Sequence, residues 1–558
     1  MQFEVHLKDY IGRSDDIQLA ELELSGLGTL EKTNGTQRIY TTDLKLEQLI
    51  SDSLDLSFAK EVLIPGIDKA IMPKVKVAHP NAVSLKENTL RIVPLSLFYE
   101  FAEAAVKKSS NITQLEKNLE TVLEYIDSGY KKHKNNPIIV AIEKNGKHND
   151  YLSHGIHKFK AKFFPRMARS LTNYCTNFDR TKKVLDPFNG SGTTTMECAL
   201  LGNPSTGFDL DPVSVTLADQ KIKCLGLNGI SLQKEIDNFK KINIKASQQR
   251  RLNSQKHLDL PPEIERKLTA EQKSEIVHDI GLVLDFIESL KPQNKLFFKI
   301  ILSDAINVKL RMRFMGTGVG RFALSVAKGR ISRLFQNKSE RMVLHIFAYN
   351  YLKLKLNLRP LTHAKIEESD ARKLSYKGYD AIVTSPPYLP AASGRESYAL
   401  SKSMSITLLG LGTVSNPKKI DSLIVGSMNP SVHKKSIKLP KDVYTLVDWL
   451  EKDPLRNIKA QPTMAYFEDM QQILDKMHSE LPEGSKVAMV VSKASQFYRY
   501  KTRETLFVVD VRKIFEEMFS NSGFKRDRIL DVELAKTNPV ARPRALDKYY
   551  ETILIFER

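Results

Sequence analysis

Residues 380–388, DAIVTSPPY, carry an apolar run straight into Ser385, Pro386, Pro387 and Tyr388. Two consecutive prolines remove two backbone donors and fix φ at both positions, so neither a helix nor a central ladder continues through them. The chain must stop rigidly there, with a hydroxyl before the prolines and an aromatic ring after them. Ligands of open α/β sheets sit outside the carboxyl ends of the strands, which is where such a turn could do chemistry. Taken alone, the tetrapeptide fits a plain strand-to-loop turn equally well.

A second cluster is DPFNGSGTT at 186–194, which includes Asp186, Pro187, Phe188, Gly190, Ser191, Gly192 and Thr193. It lacks the Gly-Lys-Ser/Thr ending that grips a nucleotide triphosphate, so it is not a phosphate loop. It reads as a tight turn between strand and helix, where missing side chains let a ligand approach the backbone. Downstream, GFDLDP puts Asp209 and Asp211 at a strand end. An acid there suits bidentate bonding to ribose hydroxyls, with a helix-capping role as the alternative. Asp370 in ESDARKL, expected at the end of a third strand, could accept from an adenine amino group or cap a helix.

These residues need a scaffold, and 558 residues are too many for one ordinary core. Residues 1–80 alternate strand and helix patterns and suggest a small α/β domain. Residues 81–149 read as a helical segment and Lys-rich linker. Residues 150–225 carry a βαβ pattern around the glycine turn, and 226–360 interrupt it with a long helical, basic insertion. The α/β pattern resumes over 361–558, so a mostly parallel sheet flanked by helices is expected, closed by an antiparallel pair, RILDVELAK and YYETILIFER. GTGVGR at 316–321 imitates a nucleotide loop, but no flanking strand is apparent. It suits a loop following a phosphate backbone or a plain helix connection.

Lys plus Arg outnumber Asp plus Glu by 85 to 65, a formal charge of +20 that favours a polyanionic partner, nucleic acid before membrane. The three cysteines, Cys175, Cys198 and Cys224, have neither CxxC spacing nor a partnered histidine cluster, against both a zinc site and a disulfide framework. His154 and His157 without carboxylate or thiol partners suggest a structural or ligand-closing role rather than a metal site. The charged start and the lack of a long apolar run imply a soluble, cytoplasmic protein with no membrane partner and no metal.

DPFNGSGTT followed downstream by TSPPY resembles the paired signature of the S-adenosylmethionine-dependent amino methyltransferases that modify exocyclic nitrogens of DNA bases. The resemblance covers 150–225 and 361–558. It implies a Rossmann-like seven-stranded methyltransferase sheet with an antiparallel last strand, here with the small N-terminal α/β domain and the helical insertion added. S-adenosylmethionine is the implied cofactor and double-stranded DNA the implied partner, with a cognate restriction endonuclease where the system is one of restriction and modification. HGIHKFKAKFFP, with Phe159, Lys162 and Phe163, resembles the segment that closes over the methionine part of the cofactor. The insertion corresponds in position to a target-recognition region. SKASQFY and the terminal NPVARPRALDKYYETILIF also resemble this group, with Arg542 and Arg544 either touching phosphate or standing free.

An exocyclic amine is a poor nucleophile because its lone pair is delocalised into the ring. Catalysis must draw that density back onto nitrogen and hold the methyl in line. Ser385 Oγ and the Pro386 carbonyl suit the two amino hydrogens, and Tyr388 suits stacking on a base swung out of the duplex. Carbon-5 methylation would require a cysteine nucleophile, commonly after proline, and none of the three cysteines follows one. Ser before Pro-Pro-Tyr resembles the cytosine-N4 enzymes, whereas adenine-N6 enzymes more often carry Asp or Asn. An RNA guanine-N2 methyltransferase and a nucleic-acid binder with a relict fold are the remaining readings.

Overall fold

The computed structural model describes residues 1–9, 14–145, 150–159, 162–248, 258–314, 321–389, 398–412, 421–428, 430, 437–499, 502, 504–533 and 550–558. Arg542 and Arg544 lie outside them, as does the tip 315–320 of the glycine-rich loop.

The N-terminal unit is a six-stranded antiparallel sheet made of β1 (Gln2–Leu7), β2 (Thr29–Asn34), β3 (Gln37–Thr41), β4 (Ala59–Ile64), β5 (Val83–Lys86) and β6 (Thr89–Ile92), in the order β2-β3-β1-β4-β6-β5. It runs past the expected boundary at 80. The β5–β6 hairpin turns on Glu87 and Asn88, both at positive φ (50° and 64°), a two-residue turn with no glycine to mark it. Phe3, Val5 and Leu7 of β1 point inward while the residues between them are half-buried, so the period of two decides the face.

The second sheet has seven strands: β7 (Val184–Asp186), β8 (Ser205–Asp209), β11 (Ala364–Glu368), β12 (Ala381–Thr384), β13 (Lys486–Ser492), β16 (Lys525–Glu533) and β17 (Tyr550–Glu557). Their order is β11-β8-β7-β12-β13-β17-β16. β17 is antiparallel to both neighbours and the other pairings are parallel, so the last strand alone runs against the sheet. The closing pair is antiparallel as expected, and the final strand is inserted one place in from the edge. β7 and β12 are adjacent and parallel, with β8 beyond one and β13 beyond the other. The chain order thus switches between β7 and β12, the position where ligands bind in such sheets. Val184, Leu185, Ala381, Ile382 and Val383 are all buried, as central strands covered on both faces require.

The insertion is built on long helices, Gly229–Gln248, Ala270–Glu288, Pro292–Lys309 and Ile331–Lys355. One expectation fails there. The glycine-rich loop is flanked by strands, β9 (Leu310–Phe314) and β10 (Phe322–Val326), which pair antiparallel. Arginines at alternate positions of RMRF lower its apolar signal, yet that alternation is the period of a ribbon with one face packed and one exposed. A further ribbon, β14 (Ala494–Tyr498) with β15 (Thr505–Asp510), follows the fifth strand of the large sheet.

The N-terminal unit is fastened to the seven-stranded sheet by buried charge. Asp55 accepts from Arg359 at 3.0 and 3.1 Å and pairs with Arg180 at 3.0 Å, while Asn173 donates to Glu23 at 2.7 Å and to the Asp55 carbonyl at 3.0 Å. Removing one partner of such a cluster strands the others in a dry site. Asp55→Ala is expected to lower unfolding stability by about 3–5 kcal/mol, read by denaturant titration of the full chain, whereas loss of a solvated pair would cost under about 1 kcal/mol.

Candidate active site at the switch point

The glycine turn leaves β7 and the tetrapeptide leaves β12, the two strands that flank the switch. Asp186, the last residue of β7, accepts from the Thr384 hydroxyl at 2.6 Å and from the Phe188 amide at 3.1 Å. Burial pushes its carboxyl up to about 6, against the hydrogen bonds that favour the charged form. Gly190 and Gly192 both have positive φ, 49° and 73°. A Cβ on Gly192 would lie 2.5 Å from that of Ala218, so this glycine is required both for its backbone and for helix packing.

A cleft of about 310 Å³ opens over this turn. Asp186, Phe188, Gly190, Ser191 and Thr193 line it from the turn, Phe159, Lys162 and Phe163 from the segment before the helix Pro165–Thr176, and Ser385 from the tetrapeptide. Asn189 also lines it, a residue not singled out in the sequence. Its side chain occupies the space a Cβ on Gly207 would take, and its buried Nδ2 has no partner. Asp209 is bonded to the turn itself, accepting from the Gly190 and Asp211 amides at 2.8 and 2.9 Å. Burial pushes its carboxyl up to about 6, offset in part by the charge of Lys402.

Two candidates stand elsewhere. Asp211 caps the helix Pro212–Lys223, accepting from the Val213 and Ser214 amides at 3.1 Å, and is paired with Lys402. Asp370 lies two residues past β11, clasped by Arg372 at 2.8–3.2 Å and bonded to the Arg372 amide. Asp211 thus caps a helix and Asp370 is an ion-pair and turn residue; like Asp209, neither is among the residues that line the cleft. Pro187 and Gly192 shape the turn.

In the tetrapeptide, the Ser385 hydroxyl donates to the Val490 carbonyl at 3.3 Å, which leaves its lone pairs as acceptors. The Pro387 carbonyl accepts from Tyr466 at 2.8 Å, and Tyr388 donates to Glu551 at the start of β17. Burial, then the Glu551 charge, raises the Tyr388 phenol, and burial raises Glu551. Glu551, Tyr466 and Thr384 were missed in the sequence. Only Thr384 falls within a motif, as the first residue of TSPPY, and the polar start of an otherwise apolar last strand was the only signal for Glu551.

Behind the cleft, Glu197 is wholly buried and accepts from His154 Nε2 (2.6 Å), Arg169 Nε (2.8 Å) and the Tyr151 hydroxyl (2.8 Å). Burial lowers His154 to about 4, so it is neutral and structural. His157 bonds Ser303 at 3.1 Å. Lys162 bonds Asp150 and the His154 carbonyl, and the buried Lys221 Nζ donates to Ser191 at 3.2 Å. All three cysteines are buried, which pushes their thiols up to about 12, far from the thiolate a carbon-5 mechanism needs. Among the described residues no group of three or more His, Cys, Asp or Glu is placed to hold a metal, and no helix is long and apolar enough to cross a membrane.

The strand order, the antiparallel last strand and the glycine-turn cleft are those of a Rossmann-like methyltransferase fold. Residues 94–220 match the DNA methylase family N6_N4_Mtase. The type II methyltransferase M.MjaII of Methanocaldococcus jannaschii is 36% identical over 70 residues, 12% of this chain and 13% of that relative. Solved structures with similarity include TrmN from Thermus thermophilus (10% identity, TM-score 0.30, 100% of this chain and 99% of that one). A SAM-dependent methyltransferase from Methanosarcina mazei aligns at 10% identity and TM-score 0.24, covering 68% and 93%. The cleft lining suits the S-adenosylmethionine expected from the sequence: three aromatic rings, the Asn189 amide nitrogen with no partner among the described residues, and Lys162, with Asp209 bonded to the turn, offer partners for base, ribose and amino-acid carboxylate.

Thr384→Val removes a buried donor from a carboxylate, worth about 1.5–3 kcal/mol. A carboxyl with a folded pKa raised to about 6 is most favourable to folding when protonated, and its contribution is lost as pH rises through 6. The loss from Thr384→Val should therefore be larger at pH 7.5 than at pH 5, as measured by thermal unfolding at both.

Proposed function

We propose that the protein is a site-specific DNA methyltransferase that transfers the methyl group of S-adenosylmethionine to the exocyclic amine of a flipped base, cytosine N4, within a restriction–modification or defence system. The observation that carries this reading is that Ser385 and the glycine turn line one cleft, so an acceptor for an amine and the residues suited to the cofactor face the same space.

The cofactor supplies an electrophilic sulfonium methyl; the rest is the work of this chain. Ser385 Oγ, its own proton engaged by Val490, and the Pro386 carbonyl accept the two amino hydrogens and favour a pyramidal nitrogen. Tyr466 and the prolines keep the turn from yielding. Tyr388, anchored through its hydroxyl to Glu551, presents its ring to the extruded base. Asp209 holds the ribose hydroxyls, and Phe159, Lys162 and Phe163 cover the methionine end. Cytosine is favoured over adenine by Ser at the first position of the tetrapeptide.

The deciding measurement is mass spectrometry of nucleosides from DNA of a methylation-deficient host expressing the wild-type chain or Ser385→Ala. N4-methylcytosine in the wild type alone is expected. N6-methyladenine would overturn the choice of base, and N2-methylguanosine in RNA with unmodified DNA would overturn the choice of nucleic acid. With purified protein, Ser385→Ala and Tyr388→Ala should lower kcat by roughly 10²-fold or more and leave duplex affinity within about threefold; normal turnover in Ser385→Ala would remove the mechanism.

Cofactor binding should follow ionisation of Asp209. With its carboxyl pushed up to about 6, the charged acceptor is present at pH 7 and mostly lost at pH 5. S-adenosylhomocysteine affinity, measured by calorimetry, is expected to fall by about tenfold over that interval and to lose this dependence in Asp209→Asn.

A further inference from the structure

The insertion is mostly helical, but the ribbon within it sorts its side chains by charge. In β9–β10, Arg313 stands opposite Ala323 and Arg311 opposite Ser325, with the pairs Leu310–Val326, Met312–Leu324 and Phe314–Phe322 between and beyond them. Alternate pairs face opposite sides of a ribbon. The apolar pairs pack on the core of the insertion, and Lys267 lies 4.8 Å from the Phe322 ring on that side. The other side carries two exposed arginines and two small residues.

This outer face has no internal use for its charge. Neither strand contains an acidic residue. Among the described residues Arg313 has no hydrogen-bond or ion-pair partner, and Arg311 is held only through Nε, which donates to the Val308 carbonyl at 3.2 Å. Opposite each guanidinium stands a residue too small to cover its stem. Two like charges about 7 Å apart on one strand repel unless something neutralises them, and their spacing is of the order of that between neighbouring phosphates on a nucleic-acid strand. Arg321 and Lys328, both exposed, bracket β10.

The ribbon is rooted beside the cleft. It continues directly from the helix Pro292–Lys309, in which Ser303 bonds His157 at 3.1 Å and Ser405 at 2.7 Å, and Asp304 accepts from the Lys158 amide at 2.6 Å. Asn307 reaches the same His157 and Ser405. His157 and Lys158 immediately precede Phe159 of the cleft wall. Arg311 and Arg313 follow Asn307 by four and six residues, a reach on the order of 10–20 Å, comparable with the groove dimensions of a duplex whose extruded base enters the cleft.

We propose that the outer face of the β9–β10 ribbon binds the phosphate backbone of double-stranded DNA, with Arg311 and Arg313 each neutralising one phosphate. This rests on the DNA-methyltransferase reading above. Base readout by arginine is bidentate and calls for a guanidinium held in one plane, whereas these two are tethered by at most one bond. They position the duplex and leave sequence recognition to other residues.

The test is the salt dependence of duplex binding by the full chain with S-adenosylhomocysteine, followed by fluorescence anisotropy of a labelled mixed-sequence duplex. Each lost phosphate contact lowers the slope of log K against log salt by about 0.9. Arg311→Gln/Arg313→Gln should thus lose about 1.8 in slope and bind on the order of tenfold or more weaker at low salt, with wild-type S-adenosylhomocysteine affinity and thermal unfolding. Lys74→Gln/Lys76→Gln, which removes the same charge from an exposed helix of the N-terminal unit, should leave the slope near wild type. An unchanged slope in the arginine double variant, or an equal fall in both double variants, overturns the assignment of the ribbon. A wild-type protein that binds no duplex at any salt overturns instead the DNA reading on which it rests.

Discussion

The hydrogen bond from Thr384 to Asp186 joins the ends of the two strands on which the site depends. β7 and β12 are neighbours in space but are separated in sequence by nearly two hundred residues, and each ends in one half of the cleft. Their parallel pairing fixes the strands, while the buried bond between their last residues fixes the turns that follow. A carboxylate at that depth is costly unless it is bonded, so Asp186 holds the loop amide at Phe188 as well as the Thr384 hydroxyl. The glycine turn and the tetrapeptide are thereby set against each other before any ligand arrives.

The second constraint lies beneath the cleft wall. Glu197 gathers His154, Arg169 and Tyr151 into one buried network spanning the helix after the glycine turn, the helix Pro165–Thr176 and the segment that leads into Phe159. Arg169 and Asn173 sit on the same helix, and Asn173 is bonded to Glu23 of the N-terminal unit. Among the described residues that unit contributes none to the cleft lining, yet through Asp55, Arg180 and Arg359 it braces the helix from which the wall is hung. Buried ionic networks are poor sources of net stability, but breaking one is expensive, which makes them effective at holding a single arrangement.

A third group of contacts ties the tetrapeptide to the end of the chain. Tyr388 is fixed by Glu551 on the inserted antiparallel strand and Pro387 by Tyr466 on a flanking helix. The strand that runs against the sheet thus completes it and also orients the aromatic ring beside Ser385. The insertion is connected as closely, through Ser303, Asp304 and Asn307 to the segment over the cleft, so the surface beyond the cleft and the site itself share one helix.

The sequence alone determined the local pieces whose meaning is carried by backbone chemistry: a glycine turn that only glycines can make, a double proline that ends a strand, an acid at the end of β8, and an alternation of strands and helices that demands a covered parallel sheet. Tertiary structure decided which acids are spent. Asp209, Asp211 and Asp370 look alike in sequence, but a helix start and Lys402 claim Asp211, Arg372 claims Asp370, and Asp209 bonds the glycine turn at the Gly190 amide. Tertiary structure also supplied Asn189, Tyr466 and Glu551, whose roles come from partners far away in the chain. The two hairpins at 83–92 and 310–326 were hidden for a physical reason of another kind. One turns on Glu87 and Asn88 without a glycine, and the other alternates arginine with apolar residues, so that burial of one face, visible only when the chain has folded, separates ribbon from loop.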